Sequence, residues 1–246
     1  MNTRAKDKLI VALDVDTPSR AFELFDALRD VAGMFKIGSQ LFTAAGPDIV
    51  RQIVGNGGRV FLDLKFHDIP NTVAAAGIAA TRLGVSIFNV HASGGAEMMK
   101  QTADSVSETC LKENLEKPSV IAVTLLTSID RDTLEQIGIA GEPRSVVAGW
   151  AQLAADCGLD GVVASPQEIE VVRQSVNKSD FLIVTPGIRS SDNRGDDQRR
   201  VLTAAEAIRA GADYLVVGRP ILNATDPVAA ADQIVAEIGA ASNQRD

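Results

Sequence analysis

Eight short runs of apolar and β-branched residues recur along the chain, with stretches between them whose apolar positions fall at helical spacing. The runs occupy residues 9–15 (LIVALDV), 34–39 (MFKIGS), 59–65 (RVFLDLK) and 86–92 (SIFNVHA). They continue at 119–126 (SVIAVTLL), 160–165 (DGVVAS), 181–187 (FLIVTPG) and 213–219 (DYLVVGR). Continuous rather than alternating apolar runs suit parallel strands covered by other elements. Among the intervening helical stretches, 18–31 opens on Pro-Ser and 71–84 is alanine-rich and ends at Gly84. Residues 144–158 end at Gly158, and residues 226–239 open on Asp-Pro and end at Gly239. A strand–helix unit repeated eight times predicts an α/β TIM (β/α)8 barrel, a single domain over residues 1–246. A doubly wound open sheet is the alternative, because one sequence does not disclose strand order.

Composition narrows the function. The chain has 246 residues, 46% hydrophobic and 23% charged, enough for one large core. No uninterrupted apolar window of about 18 residues occurs, so no transmembrane helix is expected. The first apolar run is short and carries Asp14, which argues against a secretory signal. Cys110 and Cys157 belong to no C-x-x-C pair and fit a reduced, cytoplasmic setting. A net charge of −8 and 4% aromatics argue against a nucleic-acid partner. A small anionic ligand held by local cations is still compatible with that charge.

Two connections exceed the usual length: 127–143 after the fifth run and 188–203 after the seventh. Both follow strand C-termini, where a barrel builds its active site, and long loops there are commonly lids or binding loops. The second is polar, and Arg189 and Gln198 give it groups that suit an anion.

The charges fall at the carboxyl ends of the runs. Asp14 ends the first, Lys36 lies within the second, and Asp63 and Lys65 end the third. Asp63 and Lys65 are two apart and so point to one side of the strand. A lysine inside MFKIGS is costly to bury unless paired, and Asp14 is the expected counter-charge. One such pair alone reads as a structural salt bridge. Four charges at three neighbouring strand ends read instead as an alternating Asp–Lys–Asp–Lys array that keeps every member ionised. His67 and Asp68 together raise a metal site as a second reading, although a central lysine repels a divalent cation. Gly218 and Arg219 end the eighth run, at the usual phosphate position of this barrel.

The stretch DLKFHDIPNT, residues 63–72, resembles the D-x-K-x-x-D-I-P-N-T signature of the orotidine 5′-monophosphate decarboxylases. VALDV, VTPGIR, VVGRPI and the spacing from Arg189 to Gln198 extend the resemblance nearly end to end. The resemblance implies a cofactor-free and metal-free cytoplasmic lyase of UMP biosynthesis, converting orotidine 5′-monophosphate to uridine 5′-monophosphate and CO2. Lys65 is then the catalytic proton donor, with Asp63 and Lys36 completing its array. Asp14 and Lys36 also bind the ribose, and Thr127 contacts the pyrimidine. Arg189, Gln198, Gly218 and Arg219 grip the phosphate. Asp68, Ile69 and Thr72 enter the neighbouring active site of a homodimer. Two other functions are weighed against this one. A magnesium-dependent sugar-phosphate decarboxylase or aldolase shares the D-x-K-x-x-D core. A non-catalytic phosphate-ligand sensor would not need the costly array.

Overall fold

The strands run Leu9–Ala12 (β1), Met34–Gly38 (β2), Val60–Phe66 (β3), Ile87–His91 (β4), Ser119–Val123 (β5), Gly161–Val163 (β6), Leu182–Pro186 (β7) and Tyr214–Val217 (β8). Each falls on one of the eight apolar runs, with β3 extending one residue beyond its run to Phe66. In this computed structural model, which describes residues 5–188 and 202–242, the strands pair in parallel in chain order. β8 returns to pair with β1 through Leu9–Leu215, Ile10–Val216 and Val11–Val217. That closure makes the fold a TIM barrel and excludes the open sheet.

Side-chain alternation divides the core into two layers. Ile10, Ala12, Met34, Phe61, Ile87, Ile121, Val184 and Val216 fill the barrel interior. The alternate positions, among them Val11, Phe35, Leu62, Phe88 and Ile183, face the surrounding helices. The helix Pro18–Leu28 illustrates the outer layer. Pro18 presets its first turn, and the Thr17 side chain accepts from the Arg20 N–H at 3.3 Å. Its buried stripe of Ala21, Leu24, Phe25 and Leu28 sets the Phe25 ring edge-on to Phe35 of β2, with centroids 5.0 Å apart. Burying a side chain of this size contributes about 1.5–3 kcal/mol.

The helix Pro70–Arg82 ends as expected, with Gly84 at φ +77° just beyond it. Gly161 answers a different need. A Cβ there would lie 2.3 Å from the Leu182 carbonyl oxygen, so only glycine permits the β6–β7 approach.

Three boundaries differ from the sequence expectation. The final helix, Pro227–Ser242, runs through Gly239, because buried Ala231, Ile234, Ile238 and Ala241 maintain its apolar stripe. The first helix stops at Leu28 instead of continuing to residue 31. The connection 127–143 contains a short helix, Arg131–Gln136, capped by Asp130 accepting from the Thr133 N–H at 2.9 Å and anchored by fully buried Leu134. The connection 188–203 lies largely outside the described residues. At its far end a capping box between Thr203 and Glu206 starts the next helix. Among the described residues no helix is long and apolar enough to cross a membrane. Cys110 and Cys157 are free and buried.

Candidate active site

Parallel strands in register carry the charges to one mouth of the barrel. Ala12 of β1 pairs with Lys36 of β2, and Gly38 of β2 pairs with Asp63 of β3. Lys36 follows Met34 on the inward face and is only 8% exposed. Its Nζ donates to Asp14 Oδ1 at 2.8 Å and lies 3.5 Å from Asp63 Oδ2. Lys65 Nζ donates to Asp63 Oδ1 at 2.7 Å. Asp14, Lys36, Asp63 and Lys65 therefore form the alternating array expected from their positions. Each lysine touches a carboxylate, and Asp63 lies between two ammonium groups.

The sequence did not disclose how β3 ends. Its register against β4 shifts between Leu62 and Phe66, and Lys65 adopts φ +52°. A side chain in that left-handed region costs about 1–2 kcal/mol. Asn89 of β4, fully buried, occupies the notch. Its Oδ1 accepts from the Lys65 backbone N–H at 2.8 Å, and its Nδ2 donates to Asp63 Oδ1 at 2.7 Å. The only signal for Asn89 in the sequence was a polar residue two positions after inward-facing Ile87, set between apolar Phe88 and Val90.

These contacts set the electrostatics. Burial alone pushes the Asp63 carboxyl up. The charges of Lys36 and Lys65, with hydrogen bonds from Lys65 and Asn89, outweigh burial and hold it below the ordinary carboxylate value. His91, at the end of β4, is pushed down by burial first, then by His67 and Lys65. Its ring stacks on His67 with centroids 5.4 Å apart, and its Nδ1 lies 2.8 Å from Ser93 Oγ. Among the described residues no group of three or more His, Cys, Asp or Glu side chains gathers as metal ligands do.

Lys36, Asp63 and Lys65 open onto a cavity of about 270 Å³ floored by Phe61, Val163 and Val216. Thr127, Ser128 and Ser165 supply hydroxyls to its wall. Thr127 also lines an adjoining cleft that reaches Gly187 and Arg219. Gly218 sits beside the array: a Cβ there would lie 3.6 Å from Asp14 Oδ2. Asp68, Ile69 and Thr72 are not in the cavity wall. They are exposed, Ile69 by 67%, and Asp68 Oδ1 caps the Ile69 N–H at 2.6 Å. Arg189 and Gln198 lie outside the described residues.

Relatives of this sequence are numerous. The sequence matches the family described as orotidine 5'-phosphate decarboxylase / HUMPS over residues 7–234. The orotidine 5'-phosphate decarboxylase of Moorella thermoacetica is 55% identical over 235 residues, 95% of this chain and 93% of that protein. The enzyme of the same name from Syntrophotalea carbinolica is 51% identical over 98% of both chains. Among solved structures, orotidine 5'-phosphate decarboxylase from Lactobacillus acidophilus superposes with a TM-score of 0.83 at 36% identity, covering 94% of this chain and 98% of that one. The chain belongs to the orotidine 5'-phosphate decarboxylase / HUMPS family.

Proposed function

We propose that the chain decarboxylates orotidine 5′-monophosphate to uridine 5′-monophosphate and CO2 without metal or cofactor. The observation that carries this reading is the Lys65 ammonium, 2.7 Å from Asp63 Oδ1 and open to the cavity. The bond between C6 and the carboxylate breaks, its electron pair stays on C6, and CO2 leaves. Lys65 Nζ then gives a proton to C6 and recovers one from solvent. A fixed ammonium stabilises negative charge as it develops on C6 and needs no reorganisation when the bond breaks. Asp63 aims that ammonium through its 2.7 Å contact, and Lys36 holds the same carboxylate from its other oxygen.

Binding supplies the positioning. Asp14 and Lys36 hold the ribose, and Thr127 meets the pyrimidine at the cavity wall. Gly218, Arg219, Arg189 and Gln198 hold the phosphate, away from the reacting carbon. Their binding energy orients the ring over Lys65. Asp68, Ile69 and Thr72 serve the partner site of a homodimer, a role that the exposure of Ile69 on one chain supports. Two buried free thiols fit a cytoplasmic enzyme.

The test is incubation with orotidine 5′-monophosphate, followed by absorbance, with and without exhaustive chelation. Turnover that survives chelation and disappears in Lys65→Ala is expected, with the variant still folded. Turnover that needs added magnesium would favour the sugar-phosphate branch. Wild-type turnover by Lys65→Ala would remove Lys65 from the chemistry.

A further inference from the structure

The catalytic strand carries a strained lysine whose geometry depends on a residue of the next strand. Lys65 has φ +52°, and the register between β3 and β4 shifts between the Leu62–Phe88 and Phe66–Val90 pairs that flank it. Within this shift its backbone N–H donates to the Asn89 side-chain oxygen at 2.8 Å. The same amide donates to Asp63 Oδ1 at 2.7 Å, the oxygen that also receives Lys65 Nζ. One buried group thus holds both ends of the Asp63–Lys65 pair, main chain at one end and carboxylate at the other.

We infer that Asn89 is the positioning residue that sets the Lys65 ammonium against Asp63. It does not line the cavity, so it acts on the reaction through Lys65 and Asp63 rather than on substrate. Only a side chain with an acceptor and a donor on one planar fork satisfies both partners. Aspartate matches its shape but lacks the donor and adds a charge beside Asp63. Alanine lacks both groups. Neither substitution alters the ribose, ring or phosphate contacts proposed above.

The kinetic part of this inference rests on the proposed decarboxylation, while the geometric part does not. In Asn89→Ala, kcat for orotidine 5′-monophosphate should fall about 10²-fold, as expected for a displaced catalytic group, with KM little changed. Asn89→Asp keeps the volume and the acceptor for the Lys65 N–H, and kcat per folded enzyme should fall even though the added carboxylate beside Asp63 also lowers the thermal midpoint. It is the deciding variant if Asn89→Ala does not fold. A purely structural residue would instead lower the thermal midpoint and leave kcat per folded enzyme unchanged, and that result in Asn89→Asp overturns the inference. A crystal structure of either variant tests the same point without turnover. Lys65 should leave φ +52° or its Nζ should leave hydrogen-bond distance of Asp63. Retention of both in both variants overturns the inference whatever reaction the chain catalyses. Absence of wild-type turnover would overturn the proposed function instead and leave the crystallographic comparison to decide this one.

Discussion

Lys65 reaches back two positions along its own strand to place Nζ 2.7 Å from Asp63 Oδ1, although the backbone between their inward-facing side chains is not regular strand. A period of two brings both side chains to the barrel mouth. The left-handed turn at Lys65 and the Asn89 amide then bring the charges into contact. The carboxylate so enclosed has measurable consequences.

Asp63 has a native carboxyl value below the ordinary one, with burial opposing and the two lysines prevailing. The unfolded chain therefore takes up this proton at a higher pH than the native state does. The stabilisation is fully present above the unfolded value of about 3.9 and is lost as pH falls through the lower native value. Asp63→Asn removes this dependence and leaves two lysines without their shared counter-charge. Urea unfolding of both proteins should show a stability gap at neutral pH that narrows as the pH is taken below about 4. A gap independent of pH would mean that Asp63 is not held ionised by its neighbours.

Charge at the other end of the barrel should affect stability and leave turnover alone. Asp213 Oδ2, just before β8, accepts from the Ile183 N–H at 2.7 Å and pairs with Arg173, whose guanidinium also donates to the carbonyls of Phe181 and Gly211. These groups gather where β7 and β8 begin, opposite the catalytic mouth. Both side chains are about a quarter to a third exposed, so solvent screening moderates the pair. Asp213→Ala should cost about 2 kcal/mol, mainly through the unpaired Ile183 N–H and the stranded guanidinium. Chemical denaturation should register that loss while kcat at a permissive temperature stays at the wild-type value. A matching fall in kcat would show that the two ends of the barrel are coupled.

What could be read from the sequence follows from which features are local. The strands were legible because both faces of each are covered, so their apolar runs stand out without help from neighbours. Lys36 was legible as a member of a charged cluster because an unpaired lysine among Met34, Phe35 and Ile37 is too costly. Asp14, one strand away, was the obvious partner. Asn89 was not legible. An asparagine in a strand becomes informative only once the neighbouring strand is known to break its ladder, and that register shift depends on the pairing of two segments far apart in sequence. The persistence of the last helix through Gly239 is similar, since buried Ile238 and Ala241 outweigh a residue that usually ends helices. The phosphate assignments of Arg189 and Gln198 rest on motif spacing alone.

Arg219 tests the division between binding and chemistry. It is exposed at the end of β8 and lines the cleft that adjoins the cavity. A guanidinium forms paired, charge-assisted hydrogen bonds to phosphate, each worth about 1.5–3 kcal/mol. Arg219→Ala should therefore lower kcat/KM for orotidine 5′-monophosphate by about 10²-fold, with KM rising. It should leave the thermal midpoint unchanged, because the residue is exposed. The effect should vanish for the nucleoside without its phosphate. An equal loss on both substrates would place Arg219 outside the phosphate grip.

Asp68 tests the dimer. It lies three positions beyond Lys65, yet it faces solvent with Ile69 while Lys65 faces the cavity. A two-fold partner would bury the exposed face and bring Asp68 into the neighbouring site, since the same patch then meets itself across the axis. Lys65→Ala and Asp68→Ala homodimers should each be nearly inactive. In a mixed dimer one site receives both defects and the other receives neither, so subunit exchange between the two variants should restore a substantial fraction of wild-type activity. Exchange can be followed by mass spectrometry of intact dimers while turnover is recorded in the same sample. If mixed dimers form and activity does not return, then Asp68 and Lys65 serve the same subunit's site and the shared-site arrangement is wrong.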